Sequence, residues 1–181
     1  MRPIIEYLST KIVQSKIKAT EKTIKKIIQD ELDRLGHDAN LNHIDVSEVK
    51  GMPNLFNCDN WNLGPKYKDL NPDISKWDVS NVENMDHMFT FCENFNCDIS
   101  QWIVKNVITM ESMFCGCENF NQDISSWNVG KVEDMSGMFC GCENFNQDLS
   151  SWDVQKVLHS NRVLMFKDCP IREEFKPKFK I

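Results

Sequence analysis

The sequence of this chain repeats itself every 25 residues over most of its length. Three kinds of large apolar residue recur at this interval, and each kind forms a column when the repeats are aligned. The columns are Trp77, Trp102, Trp127 and Trp152; Met88, Met113 and Met138; and Phe95, Phe120 and Phe145. A fixed period of about 20 to 50 residues is typical of solenoids and other repeat arrays. The length of 181 residues suits one such domain.

The apolar positions within one repeat predict its local backbone. From residue 74 to residue 79 they alternate with polar residues, which is typical of a short strand. From Val82 to Met88 they recur at every third residue, which favours a 3₁₀ or short helical turn. We therefore predict a right-handed β-solenoid of five turns, built from short parallel strands and 3₁₀ or short helical corners. Its core depends on stacking, because one turn cannot bury its own apolar face.

Changes of pattern mark the ends of the repeat region. Residues 1–40 are predicted to form an N-terminal helical cap, with a short strand at 17–19 and a helix over 21–35 that begins at the N-cap Thr20. Residues 41–170 are predicted to form the five turns, interrupted by a surface loop at 57–70. Residues 171–181 are predicted to form a C-terminal cap or tail. The alternation of apolar residues and Lys over 175–181 favours an extended edge strand.

Polar residues form columns that are as regular as the apolar ones. Asn and Asp residues bond to nearby backbone groups at turns, so these columns are predicted to be structural. The alternative is a calcium site, although repeats that bind calcium through Asp-rich turns use glycine-rich nonapeptides. The Asn and Asp columns are Asn71, Asn96, Asn121 and Asn146, and Asp73, Asp98, Asp123 and Asp148.

The eight cysteines also follow the repeat. Free Cys is among the most buried residue types, so we predict reduced thiols that fill small spaces in the core, with no metal and no cofactor. The alternatives are disulfides between turns, or a metal or redox site. Such a site would use Cys115, Cys117, Cys140 and Cys142, although C-x-C is not the usual spacing of zinc ligands.

The net charge of −6 is unevenly distributed along the chain. Residues 41–170 contain 19 acidic and 9 basic residues, whereas residues 1–40 and 171–181 each have a net charge of +2. An acidic body argues against nucleic acid as a partner, because phosphate binding depends on Lys and Arg. No apolar run approaches the roughly 18 residues of a membrane span. The N-terminal residues lack the pattern of a secretory signal, so a cytoplasmic location is expected.

The repeat motif Phe-Asn-x-Asp-Ile-Ser-x-Trp-x-Val-x-x-Val-x-x-Met-x-x-Met-Phe is clearest at residues 120–139. It closely resembles the repeat of BspA-like leucine-rich-repeat proteins, and more narrowly of their mycoplasma-lipoprotein-type branch, over residues 41–170. The resemblance implies a leucine-rich-repeat-like solenoid and a role in adhesion or protein binding, with a cell-surface location as the alternative. It provides no catalytic residues. The basic head is similar to that of short cytosolic or phage-encoded members.

The sequence predicts binding rather than catalysis. It contains no phosphate-binding glycine loop, zinc-protease helix or serine elbow, so an enzyme is not expected. We predict a protein-interaction module, and the alternatives are the metal or redox site above and a structural phage or cell-surface component that self-associates. Ile103 and Ile108 are the candidate partner-binding residues, because neighbouring repeats carry polar residues at the same positions. Those residues are Asp78, Asn128, Asp153, Glu83 and Glu133.

Overall fold

The structure is a computed structural model that describes residues 16–59 and 62–180. Strand β1 (Ile17–Lys18) pairs in parallel with strand β2 (Ile44–Asp45), and helix α1 (Ile24–Leu35) lies between them in sequence. Short 3₁₀ helices occur at Pro65–Tyr67, His159–Arg162 and Glu173–Phe175. The first strand was predicted correctly. Residues 1–15 of the predicted cap, Trp61 of the insertion and Ile181 of the tail lie outside the described residues.

Successive repeats are joined by a ladder of backbone hydrogen bonds, which we call the corner ladder. It connects five corner segments: residues 51–58, 84–91, 109–116, 134–141 and 161–168. At each step, four N–H groups at alternate residues donate to C=O groups of the next segment, with N···O distances of 2.7–3.0 Å. Met85 thus donates to Thr109, and His87 donates to Glu111. Because these bonds link equivalent positions of neighbouring repeats, we propose a solenoid for residues 41–170. Its right-handedness and its boundaries stay predictions.

At residues 84–91, 109–116 and 134–141, the corners are not the 3₁₀ or helical turns that the sequence predicted. Hydrogen bonds from Met88 to Met85 and from Thr90 to His87, of 3.3 and 3.2 Å, close overlapping turns instead. His87 and Phe91 have φ values of 55° and 60°, which a right-handed 3₁₀ helix does not contain. Apolar residues at every third position fit a 3₁₀ helix and overlapping turns equally well, because both are closed by hydrogen bonds between residues i and i+3. Two columns of left-handed residues run through the corners: Asn54, His87, Ser112, Gly137 and Leu164, and Phe91, Gly116, Gly141 and Asp168.

The predicted apolar columns form one continuous core. The four Trp side chains of the column are 4–5% exposed, and the rings of Trp102 and Trp127 stack with centroids 6.5 Å apart. The indole N–H of Trp102 donates to the carbonyl of Ile74 at 3.3 Å, and Trp127 bonds to Ile99 in the same way. The rings are therefore buried while their only polar group, the indole N–H, keeps a hydrogen-bond acceptor. Residues 74–77 were predicted to belong to a short strand. They form a turn instead, which is closed by a hydrogen bond from the Trp77 N–H to the Ile74 carbonyl.

Helix α1 covers one end of this core, and it begins three residues later than predicted. Residues 20–23 form a turn, closed by the Thr23 N–H and the Thr20 carbonyl at 3.0 Å, so Thr23 rather than Thr20 is the N-cap. The side chains of Ile24, Ile28 and Leu32 are buried in the core. Three residues of one apolar stripe thus seal the end that the first repeat exposes.

A hydrogen bond between Glu31 and His43 joins α1 to the first repeat. Glu31 is only 9% exposed, and its carboxylate lies 2.5 Å from Arg34 and 2.9 Å from the His43 ring. Hydrogen bonding from Arg34 is the main cause that lowers the pKa of Glu31, and His43 adds to it. Since His43 precedes β2, this contact joins the helix to the repeats.

The insertion at 57–70 is not only a surface loop. Tyr67 is buried, and its hydroxyl contacts Gln29 and Asp33 of α1. Cys58 and Leu70 are buried as well. The insertion therefore packs beneath the helix and completes the cap, which a comparison of repeat lengths does not reveal.

The predicted edge strand of the tail is wrong for the described residues up to 180. The backbone N–H of Leu149 donates to Phe175 at 2.8 Å, but no strand follows. Pro177 is buried and has no N–H to donate, while Phe175 and Phe179 both pack against the core. The alternating pattern thus reflects the packing of two aromatic rings instead of pairing with a neighbouring strand.

Candidate functional site

Ile103 and Ile108 are both exposed on the surface of the repeats. Ile103 is 55% exposed and Ile108 is 43% exposed, whereas Val104 and Val107 between them are buried. The N–H of Val107 donates to Val104 at 2.9 Å, so the two isoleucines flank a tight turn. The structure therefore places both residues outside the core, as the column comparison predicted.

The two isoleucines have different surroundings. Backbone bonds of 2.8 Å join Ile108 to Glu83 on one side and to Glu133 on the other, so its side chain stands between two acidic residues. Ile103 lines a shallow cavity of about 400 Å³ together with Asp78 and Gln101, and Ile108 does not line this cavity. The isoleucines are thus two exposed apolar side chains among charged and polar ones, which include Lys76 in the cavity and Lys50 paired with Glu83.

Several other exposed apolar residues were not predicted from the sequence. Leu158 is 65% exposed and lies in the column of Ile108, two repeats later. Its position 50 residues after Ile108 would have identified it in the alignment of repeats. Val163 and Leu164 lie in the last corner segment and are 51% and 58% exposed. Their position was obscured by the two extra residues of the last repeat.

Phe91 is a further exposed side chain, with an unusual backbone. It is 49% exposed and has a φ of 60°, a region that bulky residues rarely adopt. The next two repeats have Gly116 and Gly141 at this position, with φ values of 73° and 72°. The Phe91 ring lies over Gly116, so closely that a Cβ on that glycine would be 2.6 Å from the ring.

The four cysteines of the predicted metal alternative do not converge. Cys117 and Cys142 are buried, and each thiol donates to a core carbonyl, of Phe89 and Phe114 respectively, at 3.0 Å. Cys115 and Cys140 are partly exposed in a separate column. Burial, and then the neighbouring Cys140, raise the pKa of Cys115 to about 11, which disfavours a reactive thiolate. Within residues 16–59 and 62–180, no group of three or more His, Cys, Asp or Glu side chains is placed to hold a metal ion.

All eight cysteines have free thiols. The buried Sγ atoms of Cys58 and Cys92 are 3.1 Å apart. In the repeats Cys58 is equivalent to Phe91 and not to Cys92, so the alignment of columns did not pair the two cysteines.

The asparagine columns border an open groove of about 860 Å³, which His37 and Asp38 close at one end. The side-chain oxygen of Asn71 accepts the backbone N–H of Asn96 at 2.9 Å, and Asn96 accepts that of Asn121 at 3.0 Å. The aspartates behave similarly, since Asp98 accepts the Ser100 N–H and has a lowered pKa as a result. The side chains of these columns therefore stabilise the backbone of the repeats by accepting hydrogen bonds from its N–H groups.

A family model described as "Mycoplasma protein of unknown function, DUF285" matches residues 23–114 and 61–176. The chain belongs to the DUF285 family. The two matches overlap over residues 61–114, so the DUF285 model aligns with these repeats in more than one register. No curated protein and no solved structure matches the chain. In the described part of this DUF285 chain, every helix is too short or too polar to cross a membrane.

Proposed function

We propose that this DUF285 chain is a non-enzymatic protein-interaction module that binds a protein partner through Ile103 and Ile108. The observation that carries the proposal is the exposure of both side chains, 55% and 43%, in columns where neighbouring repeats have acidic or amide residues. Grouped apolar side chains on a surface mark contact sites more often than scattered ones do.

The surroundings of the isoleucines support a contact site. Protein interfaces typically have apolar anchors at the centre and polar residues at the rim. Glu83 and Glu133 provide such a rim for Ile108, and Asp78 provides one for Ile103. The buried Val104 and Val107 hold the intervening backbone in place, which lowers the entropic cost of binding.

The relation to BspA-like leucine-rich-repeat proteins is part of the same proposal. It rests on the motif of residues 120–139 and is supported by bonds between equivalent positions of neighbouring repeats. Such an architecture offers an extended surface suited to binding proteins. The cytoplasmic location, with the cell surface as its alternative, stays a prediction.

The test is an Ile103→Asp, Ile108→Glu double variant, which restores the chemistry of the neighbouring repeats. Proteins of the native cell are captured on the wild-type chain, and the same lysate is then passed over the variant. We expect unchanged thermal unfolding and loss of the partner. An Asn128→Asp, Glu133→Asp variant is the matched control, since it changes the same two columns one repeat later and is expected to retain the partner.

Two results would contradict the proposal. If the double variant unfolds at a much lower temperature, the isoleucines contribute to the core. If it retains the partner as well as the control does, the surface is not the binding site. Metal analysis and light scattering on the same wild-type preparation distinguish the metal or redox alternative and the self-associating structural component.

A further inference from the structure

The corner ladder ends with unused hydrogen-bond donors at the last repeat. Gly137, Phe139 and Gly141 donate to the segment that follows them, at 2.8–2.9 Å. The equivalent residues of the last corner segment are Leu164, Phe166 and Asp168, and among the described residues their N–H groups have no acceptor. We call this row of three N–H groups, with the side chains of Val163 and Leu164, the C-terminal edge.

The tail closes the core, and Lys176 lies over the Phe166 ring at 5.7 Å, but no described residue of the tail accepts a bond from the three N–H groups of the C-terminal edge. The tail bonds to the repeats elsewhere, through Phe175 to Leu149 and through the Arg172 N–H to Asn146. Arg162 lies over the Phe179 ring at 4.6 Å, which fixes the end of the tail beside the edge.

Apolar side chains lie at the C-terminal edge where other repeats have polar or small ones. Val163 aligns with Asp86, Glu111 and Ser136, and Leu164 aligns with His87, Ser112 and Gly137. Leu164 also has a φ of 59°, an unfavourable conformation for a residue with a Cβ. An exposed leucine retained in such a conformation points to a contact beyond the chain itself.

The charge around the C-terminal edge is positive, in contrast to the acidic body. Residues 159–180 contain six basic and three acidic side chains. Lys178 and Lys180 form no ion pair with any described residue. A ligand with acidic side chains would therefore be attracted to this end of the molecule.

We propose that the C-terminal edge binds an acidic peptide segment of a protein partner, which takes up the turn conformation of a corner segment and adds to the corner ladder as its next layer. As in strand addition, main-chain bonds provide affinity and side chains provide specificity. Three donors at alternate residues require carbonyls at alternate residues of a segment that follows the same overlapping turns as the corners. Val163 and Leu164 select an apolar side chain in that segment, and the lysines select acidic ones.

A second copy of this chain is a poorer fit to the C-terminal edge. Its complementary end is the first corner segment, and α1 lies beside that segment, since Ile24 and Lys25 line a cavity together with residues 51–53. Residues 16–26 at that end also contain five lysines and one acidic residue, so two copies stacked end to end would bring like charges together. The edge is separate from Ile103 and Ile108, and its test does not depend on the function proposed above.

The probe is a synthetic peptide of residues 81–91, acetylated and amidated at its ends. In the intact chain, the carbonyls of Asp86, Met88 and Thr90 accept hydrogen bonds from the corner of the preceding repeat. The peptide also contains Glu83 and Asp86, so it has the acceptors and the charge that the edge requires. Binding to the full chain is measured by fluorescence anisotropy, and backbone amide exchange by NMR is followed with and without peptide.

We expect saturable binding that slows amide exchange at Leu164, Phe166 and Asp168. A Val163→Asp, Leu164→Asp variant is expected to bind roughly tenfold more weakly or worse, because it loses apolar contacts and adds negative charge. The Asn128→Asp, Glu133→Asp variant, whose substitutions lie outside the edge, is the control and is expected to bind as the wild type does. A Glu83→Gln, Asp86→Asn peptide is expected to bind more weakly and with less dependence on salt.

Three results would overturn the proposal. One is the absence of binding, and another is binding that the edge variant leaves unchanged. The third is protection of the three amides that increases with protein concentration in the absence of peptide, which would identify a second copy as the occupant. If the edge variant is unfolded, the amide exchange of the wild-type chain with peptide still decides the outcome.

Discussion

Replacing Gly116 by alanine should cost more stability than replacing Gly141, although the two glycines have the same backbone conformation. Their φ values are 73° and 72°, and a left-handed residue with a Cβ costs about 1–2 kcal/mol. A Cβ on Gly141 would meet only backbone atoms of Gly116, at 3.7 Å, which is an ordinary contact. We therefore expect Gly141→Ala to cost about 1–2 kcal/mol.

A Cβ on Gly116 would collide with Phe91. It would lie 2.6 Å from Cδ1 and 3.2 Å from Cε1 of the ring, and 3.4 Å from the Phe91 Cα, so rotation of the ring relieves only part of the overlap. Overpacking typically costs about 1–3 kcal/mol. Gly116→Ala should therefore be about 1–3 kcal/mol more destabilising than Gly141→Ala. For a chain of this size, each kcal/mol lowers the melting temperature by roughly 2–4 °C.

A double-mutant cycle with Phe91→Gly isolates the collision. Urea unfolding of the wild type, both single variants and the double variant gives the coupling energy directly. With the ring removed, Gly116→Ala should cost only as much as Gly141→Ala does. Equal costs for the two glycines in the wild-type background, or no coupling to Phe91, would refute the assignment of Phe91 over Gly116.

Three further predictions concern the cap and the cysteines. Glu31→Gln should destabilise the chain by about 1–2 kcal/mol at pH 7. Because the pKa of Glu31 is lowered in the folded state, its contribution is full above the unfolded value near 4.5 and is lost as the pH falls through the folded value. Thermal unfolding of both forms should thus converge in acid, and a constant difference would contradict this. Deletion of residues 1–40 should give aggregated protein by light scattering, whereas a soluble, cooperatively unfolding product would show that the cap is dispensable. Thiol titration of freshly prepared, denatured protein should count eight free cysteines, and a count of six would indicate a Cys58–Cys92 disulfide.

The period of the sequence was sufficient to predict what is buried. Trp102, Met113 and Phe120 and their equivalents were assigned to the core from spacing alone, and they are buried. Helix α1 was predicted from its apolar stripe, because burial on one face and helical spacing are the same signal. The first residue of α1 was not predicted correctly, because Thr20 and Thr23 are equally good N-caps in sequence.

The backbone of the corners could not be predicted in the same way. Met85 and Met88 are spaced alike in a 3₁₀ turn and in overlapping β-turns, so their spacing does not reveal the sign of φ at His87. Gly116, Gly137 and Gly141 were the available signal, because glycine is the usual residue at positive φ. The exposure of Ile103 and Ile108 followed from their polar neighbours in the columns. The C-terminal edge could not be predicted from the columns, because it is defined by hydrogen bonds that the last repeat does not form.

The corner ladder also makes the molecule electrically polar along the direction in which its repeats are stacked. The bonded peptide groups of all five segments have their N–H toward the C-terminal end and their C=O toward the N-terminal end, in four parallel rows. Each peptide group has a dipole of about 3.5 D, and aligned groups add as they do in an α-helix. The end that contains Leu164 is thus the positive pole of the ladder. Further 25-residue repeats would extend the four rows and lengthen the dipole without changing any residue at that pole.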